Sequence, residues 1–357
     1  MRWRRLSRRL IYAMSQKIRR CWPIVISLFF LVSGLWIMAS GLGVVDFLYE
    51  EDFTDFKWCD VNVKDQVQRE LNGGLPASEY LVNDMENIKM FSDPLRCQEA
   101  RNDTLLIIVK TGADRIERRN AYRATLSRIK SRAGWNIQTV FVMGHHGNNI
   151  NTLIEENKKY MDMIIGDFRD HYYNNSYKLI YAMKTAMNFC SEVPFLLSLD
   201  DDYIINIDNV IRYVSGRVKD EKLYAGWRMY GEPYRYRFNK FGLTLKEYPY
   251  NLFPPFITGG MVFWSPLAVK EFYTAMKYCK MHKFDDVWMG ILAYLLDYHP
   301  QSLPEANVHR SKDIKTPSLD GKLGEHGYSA SEIADYLRYL NSNTSQPTDL
   351  RTDARNN

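Results

Sequence analysis

The first 20 residues of the chain contain no acidic side chain, although eight of them are Arg or Lys. Taking these eight from the 47 basic residues of the chain leaves 39, against 42 acidic residues. The net charge of +5 is therefore concentrated at the N-terminus. Because the remainder is slightly acidic, it offers no basic face, and we expect no nucleic-acid partner.

Charge of either sign is absent from the next stretch, the 24 residues from Trp22 to Val45. A helix of that length extends about 36 Å, enough for the roughly 30 Å hydrocarbon core of a bilayer. Basic residues precede it and acidic residues follow it, which places the N-terminus in the cytosol and the rest in the lumen or outside. The long basic leader disfavours a cleaved signal peptide, and the lack of a polar face disfavours a buried core helix. We expect a cytosolic tail (1–21) and an uncleaved type II membrane anchor (22–45).

Cysteine is scarce, and the absence of C-x-x-C pairs disfavours a zinc site. Cys21 lies at the cytosolic edge of the predicted anchor. The other four would lie in an oxidising compartment and predict two disulfides, with three connectivities open; they are Cys59, Cys97, Cys190 and Cys279. Glycosylation triplets fit a lumenal chain, although each alone is a weak signal; they begin at Asn102, Asn174 and Asn343.

Internal repeats and low-complexity blocks are also absent. Residues 46–100 are charged and weakly periodic, which predicts a lumenal stem. From there to about residue 340, strand-like runs alternate with helical patterns, which predicts one α/β domain with a doubly wound parallel sheet. After residue 223 the sequence becomes rich in aromatic residues, Pro and Gly, which suggests an irregular acceptor-facing region. Residues 341–357 are predicted to be a disordered tail.

Two acidic clusters stand out. Asp200, Asp201 and Asp202 follow the apolar run "PFLLSL", and ligands of parallel α/β sheets bind at the carboxyl ends of strands. A solvated turn or helix cap is the simpler explanation, but three adjacent carboxylates after a buried strand favour Mg²⁺ or Mn²⁺ shared with a diphosphate. Asp285 and Asp286 precede an apolar helix, where one could cap the helix and one could act as a general base.

Several ordered blocks between Thr104 and Leu337 resemble the β-1,3-glycosyltransferases of glycosyltransferase family 31, and among these the brainiac-like members. The blocks are "RRNAYRAT", "DFRDHYYNNSYK", "LDDDYIIN", "YPYNLFPPFITGGMVF" and "FDDVWMG". The chain departs from the family pattern at Leu126 (usually Trp), Asn175 (usually Leu) and Asp285 (usually Glu). The last change leaves open how the acidic pair divides its work.

The resemblance implies a GT-A-type fold, a UDP-sugar donor, Mn²⁺ (or Mg²⁺) as cofactor and inversion at the anomeric carbon. By position it makes Asp202 the principal metal ligand, with Asp200 near the metal and the sugar or ribose, and it makes Asp286 the base beside Asp285. His326 lies where members of the family have a metal-binding histidine towards the end of the domain. His309 is the alternative candidate for this ligand. The donor pocket would be lined by Arg119, Arg123, Asp170, Lys178, Asp201, Gly259 and Gly260.

The resemblance therefore predicts a Golgi enzyme that moves galactose, or another hexose, to the 3-hydroxyl of a glycan acceptor on a glycolipid or glycoprotein. Transfer of N-acetylglucosamine is the alternative within the family. A non-catalytic chaperone or lectin would be expected to lose the aspartates, and a two-metal phosphohydrolase would need more ligands. The oligomeric state is open, with a homo-oligomer as one alternative.

Overall fold

The computed structural model describes residues 2–85, 87–92, 103–188, 192–306, 308–310 and 319–343. The chain divides into two compact units. Unit 1 comprises Met1–Phe56 and Gly231–Leu252, and unit 2 comprises Lys57–Tyr230 and Phe253–Asn357.

The described helices are α1 (Arg2–Gly41), α2 (Val44–Leu48), α3 (Val63–Leu71), α4 (Ile116–Arg123), α5 (Ile150–Tyr160), α6 (Asn175–Met187), α7 (Ile207–Ser215), α8 (Pro266–Met276), α9 (Asp285–Leu295) and α10 (Ala330–Asn343). The described strands are β1 (Met90–Ser92), β2 (Thr104–Lys110), β3 (Ser131–Arg132), β4 (Trp135–His145), β5 (Met163–Arg169), β6 (Phe195–Asp200), β7 (Tyr203–Ile205), β8 (Tyr224–Met229), β9 (Phe256–Trp264), β10 (Gln301–Ser302), β11 (Val308–His309) and β12 (Gly324–His326).

The main sheet of unit 2 has the strand order β1-β5-β4-β2-β6-β9-β8-β10, with β3 on β4. Its centre, β5-β4-β2-β6, is parallel, as the alternation of strands and helices predicts. Strand β9 is antiparallel to both of its neighbours, so the sheet is mixed. The predicted α/β fold class is confirmed.

Strand β2 is buried on both faces, which explains why its sequence is an unbroken apolar run. Leu105, Ile107 and Val109 belong to the core on one face of the sheet, while Leu106 and Ile108 belong to the core on the other. A central strand covered by helices on both faces has no polar side, so its sequence does not alternate. The run ends at Lys110, which lies in register with Asp200 of β6.

The region after residue 223 is more regular than its composition suggests. It contains strands β8 and β9, and β9 pairs along much of its length with β6 in the middle of the sheet. The expectation of an irregular region is wrong for these residues, because antiparallel pairing overrides the Gly and Pro signals around them. A second, three-stranded sheet has the order β11-β12-β7, and β7 directly follows the three aspartates.

Part of the predicted stem contributes to unit 2. Helix α3 buries Val63 and Val67, and β1 pairs antiparallel with β5. A disulfide joins Cys59 to Cys279. Cys97 and Cys190, which the prediction of a second disulfide needs, lie outside the described residues, as do Asn102 and residues 344–357.

Unit 1 contains α1, whose segment Cys21–Gly41 has a mean hydropathy of 2.1 and is long and apolar enough to cross a membrane. The helix ends there, and Gly43 follows with φ +80. A Cβ on Gly43 would lie 2.2 Å from the Arg235 carbonyl oxygen, so only glycine permits this close approach. Residues 231–252, which we call the aromatic loop, contact the short helix α2 and the residues around it.

Candidate active site

A cleft of about 360 Å³ opens at the carboxyl end of the parallel strands of unit 2, the edge at which the sequence predicts a ligand. Residues from the ends of β2, β4, β5 and β6 surround it. They are Thr111, Gly112, Asp114, Arg115, His146, Asp170, His171, Tyr172, Asn175, Lys178, Asp200, Asp201 and Asp202.

The three consecutive aspartates have different surroundings. Asp201 is buried, and its carboxylate accepts hydrogen bonds from the Thr111 hydroxyl at 2.6 Å and the Arg115 guanidinium at 2.8 Å. Asp200 is partly exposed and pairs with Lys110 at 3.0 Å. The Asp202 side chain has no hydrogen-bond or ion-pair partner on another side chain within the part of the chain that the structure describes. Asp201 therefore stabilises the turn. Asp200 and Asp202 are more exposed, and their carboxylate oxygens are accessible to a ligand in the cleft.

Lys110 connects this cluster to the second acidic pair. Its ammonium group lies 3.0 Å from Asp200, 3.1 Å from Asp285 and 2.8 Å from the Gly259 carbonyl oxygen. Burial alone would lower the pKa of Lys110, but the two carboxylates outweigh burial and raise it. The lysine is therefore charged, and it holds the end of β6 against the start of α9.

Within the acidic pair, the two carboxylates differ in their partners. Asp285 is bound to Lys110, while an Asp286 oxygen accepts a hydrogen bond from the Val287 backbone N–H at 2.8 Å. Burial, reinforced by the neighbouring Asp285 charge, raises the pKa of Asp286 to about 7. A carboxylate with a pKa near neutrality is suited to accept a proton.

Directly after β5, Asp170 forms a buried ion pair with Lys178 at 2.9 Å. Asp170 also accepts hydrogen bonds from the backbone N–H groups of Ala113 and Gly144, and Lys178 donates to the Thr111 carbonyl oxygen. Both side chains line the cleft, but their charges are already neutralised by each other. They fix the loop after β2 in place.

Arg119 and Arg123 do not line the cleft. Arg119 makes a two-pronged ion pair with Glu156, and it donates to the Gly112 carbonyl oxygen at 2.7 Å. Arg123 binds Asp162 through two hydrogen bonds and reaches Glu156 as well. The structure places both arginines behind the loop that forms one wall of the cleft, so they support that wall and Arg115 presents its guanidinium instead.

Gly259 and Gly260 allow close packing beside the acidic residues. A Cβ on Gly259 would lie 3.2 Å from the Lys110 ammonium, and a Cβ on Gly260 would lie 2.4 Å from the Tyr203 hydroxyl. The structure therefore explains both glycines by protein contacts, and neither is among the residues that line the cleft.

His326 lies close to Asp202 in the second sheet. It pairs with Tyr203 across β12 and β7, and its ring stacks on the Tyr203 ring with centroids 5.3 Å apart. The next residue, Gly327, donates its backbone N–H to the Asp202 carbonyl oxygen at 3.1 Å. The backbone of His309 is in register with His326, while its side chain lies outside the described part of the structure.

The type of ligand atom at the cleft fits a divalent cation. Asp200 and Asp202 supply hard oxygen ligands at the cleft, which is the donor type that Mg²⁺ and Mn²⁺ prefer. No group of three His, Cys, Asp or Glu side chains arranged for a metal occurs among the described residues. Such cations are often held by one or two carboxylates, with substrate phosphates and water completing the shell, so this donor set suits a metal that binds together with a diphosphate.

Sequence reasoning missed Lys110, Thr111, Arg115 and Arg118. Arg118 donates to the carbonyl oxygens of Asp201 and Tyr328 and so joins the aspartate turn to the second sheet. A lysine at the end of the apolar run "TLLIIVK" was a signal for the first of them, because a charge at the end of a fully buried strand needs a partner. Nothing local identifies that partner.

Comparison with known proteins shows which family the chain belongs to. The family profile described as "Galactosyltransferase" matches residues 117–304. The β-1,3-galactosyltransferase bre-5 of Caenorhabditis elegans is 27% identical over 320 residues, covering 86% of this chain and 90% of the relative. The β-1,3-galactosyltransferase brn of Drosophila melanogaster is 26% identical, covering 85% and 91%. UDP-GalNAc:β-1,3-N-acetylgalactosaminyltransferase 1 of Mus musculus is 30% identical, covering 68% and 76%.

The matched segment runs from the start of α4 to just after β10 and includes both acidic clusters. The predicted family resemblance is confirmed. The chain belongs to the galactosyltransferase family and is a sugar-transferring enzyme with the β-1,3-glycosyltransferases among its relatives.

Proposed function

We propose that this enzyme is an inverting, metal-dependent β-1,3-galactosyltransferase that uses a UDP-sugar and attaches the hexose to the 3-hydroxyl of a glycan acceptor. The names of bre-5 and brn support galactose, and the mouse relative makes N-acetylgalactosamine a second candidate sugar. N-acetylglucosamine is the third donor sugar to test. The acceptor glycan is proposed to be carried by a glycolipid or a glycoprotein.

The observation that best supports the proposal is that Lys110 joins the two acidic clusters. It holds Asp200, beside the cleft, and Asp285, beside the base candidate Asp286, at nearly equal distances of 3.0 and 3.1 Å. A transferase needs donor-binding groups and a base in one site, so that an acceptor hydroxyl can attack C1 while UDP leaves. A site built only to bind a sugar has no need of a carboxylate whose pKa is raised to about 7.

Each protein group then has a role in the reaction. Asp286 accepts the proton of the acceptor hydroxyl, and Asp285 and Lys110 keep it in position. Arg115, whose side chain is about half exposed, lies where it can neutralise charge on the departing diphosphate. Attack from the face opposite UDP inverts the anomeric configuration. A divalent cation, when bound to Asp200 and Asp202, would stabilise the diphosphate leaving group.

The membrane topology is part of the proposal. Residues 1–21 form a cytosolic tail, the apolar segment of α1 spans the membrane, and the rest lies in the lumen of the Golgi apparatus. The length and hydropathy of Cys21–Gly41 and the basic residues before it support this orientation. The Cys59–Cys279 disulfide supports an oxidising compartment.

The test is a donor screen with the full chain in detergent. UDP-galactose, UDP-N-acetylgalactosamine and UDP-N-acetylglucosamine are each supplied with Mn²⁺ and a panel of glycan acceptors, and UDP release is measured. Transfer of galactose, with a β-1,3 linkage by NMR, is expected, and EDTA should abolish it. Preference for another donor would replace galactose by that donor's sugar in the proposed reaction. Phosphate release without transfer, or binding without turnover, would overturn the proposal in favour of a phosphohydrolase or a lectin.

A further inference from the structure

Unit 1 carries a surface that the proposed reaction does not use. In the aromatic loop, Tyr234, Tyr236 and Phe238 have exposed rings, and 77% of the Phe238 surface is accessible. The Tyr236 and Phe238 rings touch each other edge to face, with centroids 5.5 Å apart. Large aromatic side chains bury more apolar surface than most others, so a cluster left open to water calls for an explanation.

The loop is fixed to the end of the apolar helix. The Arg237 backbone N–H donates to the carbonyl oxygen of Gly41, the last residue of α1, at 3.3 Å. A Cβ on Gly41 would lie 3.1 Å from the Phe238 ring, so the ring packs on the helix terminus itself. The position of Phe238 along the helix axis is therefore the position at which the apolar segment ends.

Ion pairs strengthen this attachment. The Arg235 guanidinium is buried, pairs with Glu50 at 2.6 Å, and donates to the carbonyl oxygens of Tyr248 and Tyr250. Arg237 pairs with Asp46 at 2.9 Å. Since both acids follow the apolar helix directly, the loop is held to the membrane-proximal end of unit 1 by buried and partly buried charges, which are costly to separate.

The apolar segment Cys21–Gly41 has 21 residues, which as a helix extend about 31 Å and match the roughly 30 Å hydrocarbon core of a bilayer. Gly41 then lies at the boundary between the acyl chains and the headgroups. Tyr and Trp side chains are enriched at that depth in membrane proteins, because their rings are apolar and their hydroxyl or N–H groups reach water.

We propose that the aromatic loop is a membrane-contact surface, with Tyr234, Tyr236 and Phe238 inserted among the headgroups of the leaflet that the helix leaves. This inference rests on the membrane anchoring proposed above. It adds a second membrane attachment, distant in sequence from the anchor, which restricts the rotation of unit 1 about the helix axis.

The net charge of the aromatic loop indicates which lipids are needed for its contact with the membrane. Residues 231–252 contain four basic and two acidic side chains, and two of the four, Arg235 and Arg237, are neutralised by Glu50 and Asp46. The remaining charges balance, so the contact depends on ring burial and requires no anionic lipid. Insertion should then be insensitive to salt.

The test uses the full chain in phosphatidylcholine nanodiscs, with Phe238→Trp and, separately, Tyr234→Trp. The fluorescence of the wild type is subtracted to isolate the added tryptophan. Its emission should shift to the blue and lose roughly half of its intensity when the lipid carries bromine near the headgroup end of the acyl chains. Nanodiscs without bromine are the control, and high salt should change nothing.

Other outcomes overturn the proposal. Emission typical of water and indifferent to bromine would show that the rings are not inserted. A blue shift that depends on the number of protein molecules per nanodisc would indicate that a second copy covers the patch, and one that needs an added soluble glycan would indicate an acceptor contact. The wild type contains Trp22 and Trp36 in the apolar helix. If bromine deep in the bilayer fails to quench Trp36, which lies five residues before Gly41, the anchoring proposal fails first. If deep bromine quenches Trp36 but bromine near the headgroups leaves the added tryptophan unquenched, only this inference fails.

Discussion

Lys110 and Asp285 form an ion pair at 3.1 Å between the end of β2 and the start of α9, and both side chains are largely buried. The same ammonium group binds Asp200. The side chain of Lys110 therefore bridges two acidic clusters that are more than 80 residues apart in the sequence. In the proposed mechanism the acidic residues have different roles, and each role can be tested.

The first prediction concerns the base. Replacing Asp286 by Asn should lower kcat by about 10² to 10⁴, or roughly 2.7 to 5.5 kcal/mol in activation free energy, because the acceptor hydroxyl loses its proton acceptor. The Kd for UDP should change little. Steady-state kinetics and calorimetry measure the two quantities. Asp285→Asn is the matched control, and a larger loss of kcat there than in Asp286→Asn would reverse the assignment.

The second prediction concerns pH. The pKa of Asp286 is raised to about 7, so the carboxylate that accepts a proton predominates above pH 7 and disappears below it. We expect kcat/KM, which reports the pKa of the free enzyme, to fall as the pH drops through 7, tenfold for each further unit. The same raised pKa means that the folded protein keeps a proton that the unfolded chain releases above about pH 4, so this group destabilises the fold as the pH rises from 4 to 7. A pH profile of kcat/KM unchanged by Asp286→Asn would contradict the assignment.

The third prediction concerns Lys110. Lys110→Met should leave Asp285 buried without its cation, and removal of one partner from a buried pair costs about 3 to 5 kcal/mol. Because Asp200 is partly exposed and can be solvated, we expect the lower end of this range. The free energy of unfolding of the full chain in detergent is the measurement. Lys110→Arg keeps the charge and should recover part of the loss; equal destabilisation by both variants would show that shape, not charge, matters at this position.

The fourth prediction separates Asp202 from Asp201. Asp202→Asn should abolish the Mn²⁺-dependent part of UDP binding with little effect on stability, because its side chain faces the cleft. Asp201→Asn should instead lower stability, since it weakens the bonds to Thr111 and Arg115. Calorimetry with and without Mn²⁺, together with thermal unfolding, distinguishes the two. Mn²⁺-dependent affinity retained in Asp202→Asn would remove Asp202 from the metal site.

The sequence predicted the location of the cleft because the relevant signals are local. An apolar run that ends in three aspartates identifies both a buried strand and its carboxyl end, and the alternation of strands with helices places that end at the ligand-binding edge. The acidic pair at the start of α9 was visible for the same reason.

The direction in which a side chain points was not predictable. Arg119 and Arg123 belong to a recognisable motif, but whether they face the cleft or Glu156 depends on how α4 packs against α5. The pairing of Lys110 with Asp285 depends on the register of β2 with β6 and on the position of α9, both of which are tertiary relations. Strand β9 was missed because Gly259 and Gly260 weaken the strand signal. Lys110 and Asp285 fill the space beside Gly259, and Tyr203 fills the space beside Gly260.

The Cys59–Cys279 disulfide also affects how the protein is made. The two cysteines are separated by 220 residues, so in the proposed lumenal topology Cys59 is synthesised and translocated long before its partner. Until Cys279 emerges, the first thiol is exposed to oxidants and to other cysteines of the nascent chain. For a lumenal enzyme we therefore expect biosynthesis to need thiol exchange that keeps early mispairing reversible, and a shortage of disulfide isomerase should reduce the yield of folded enzyme.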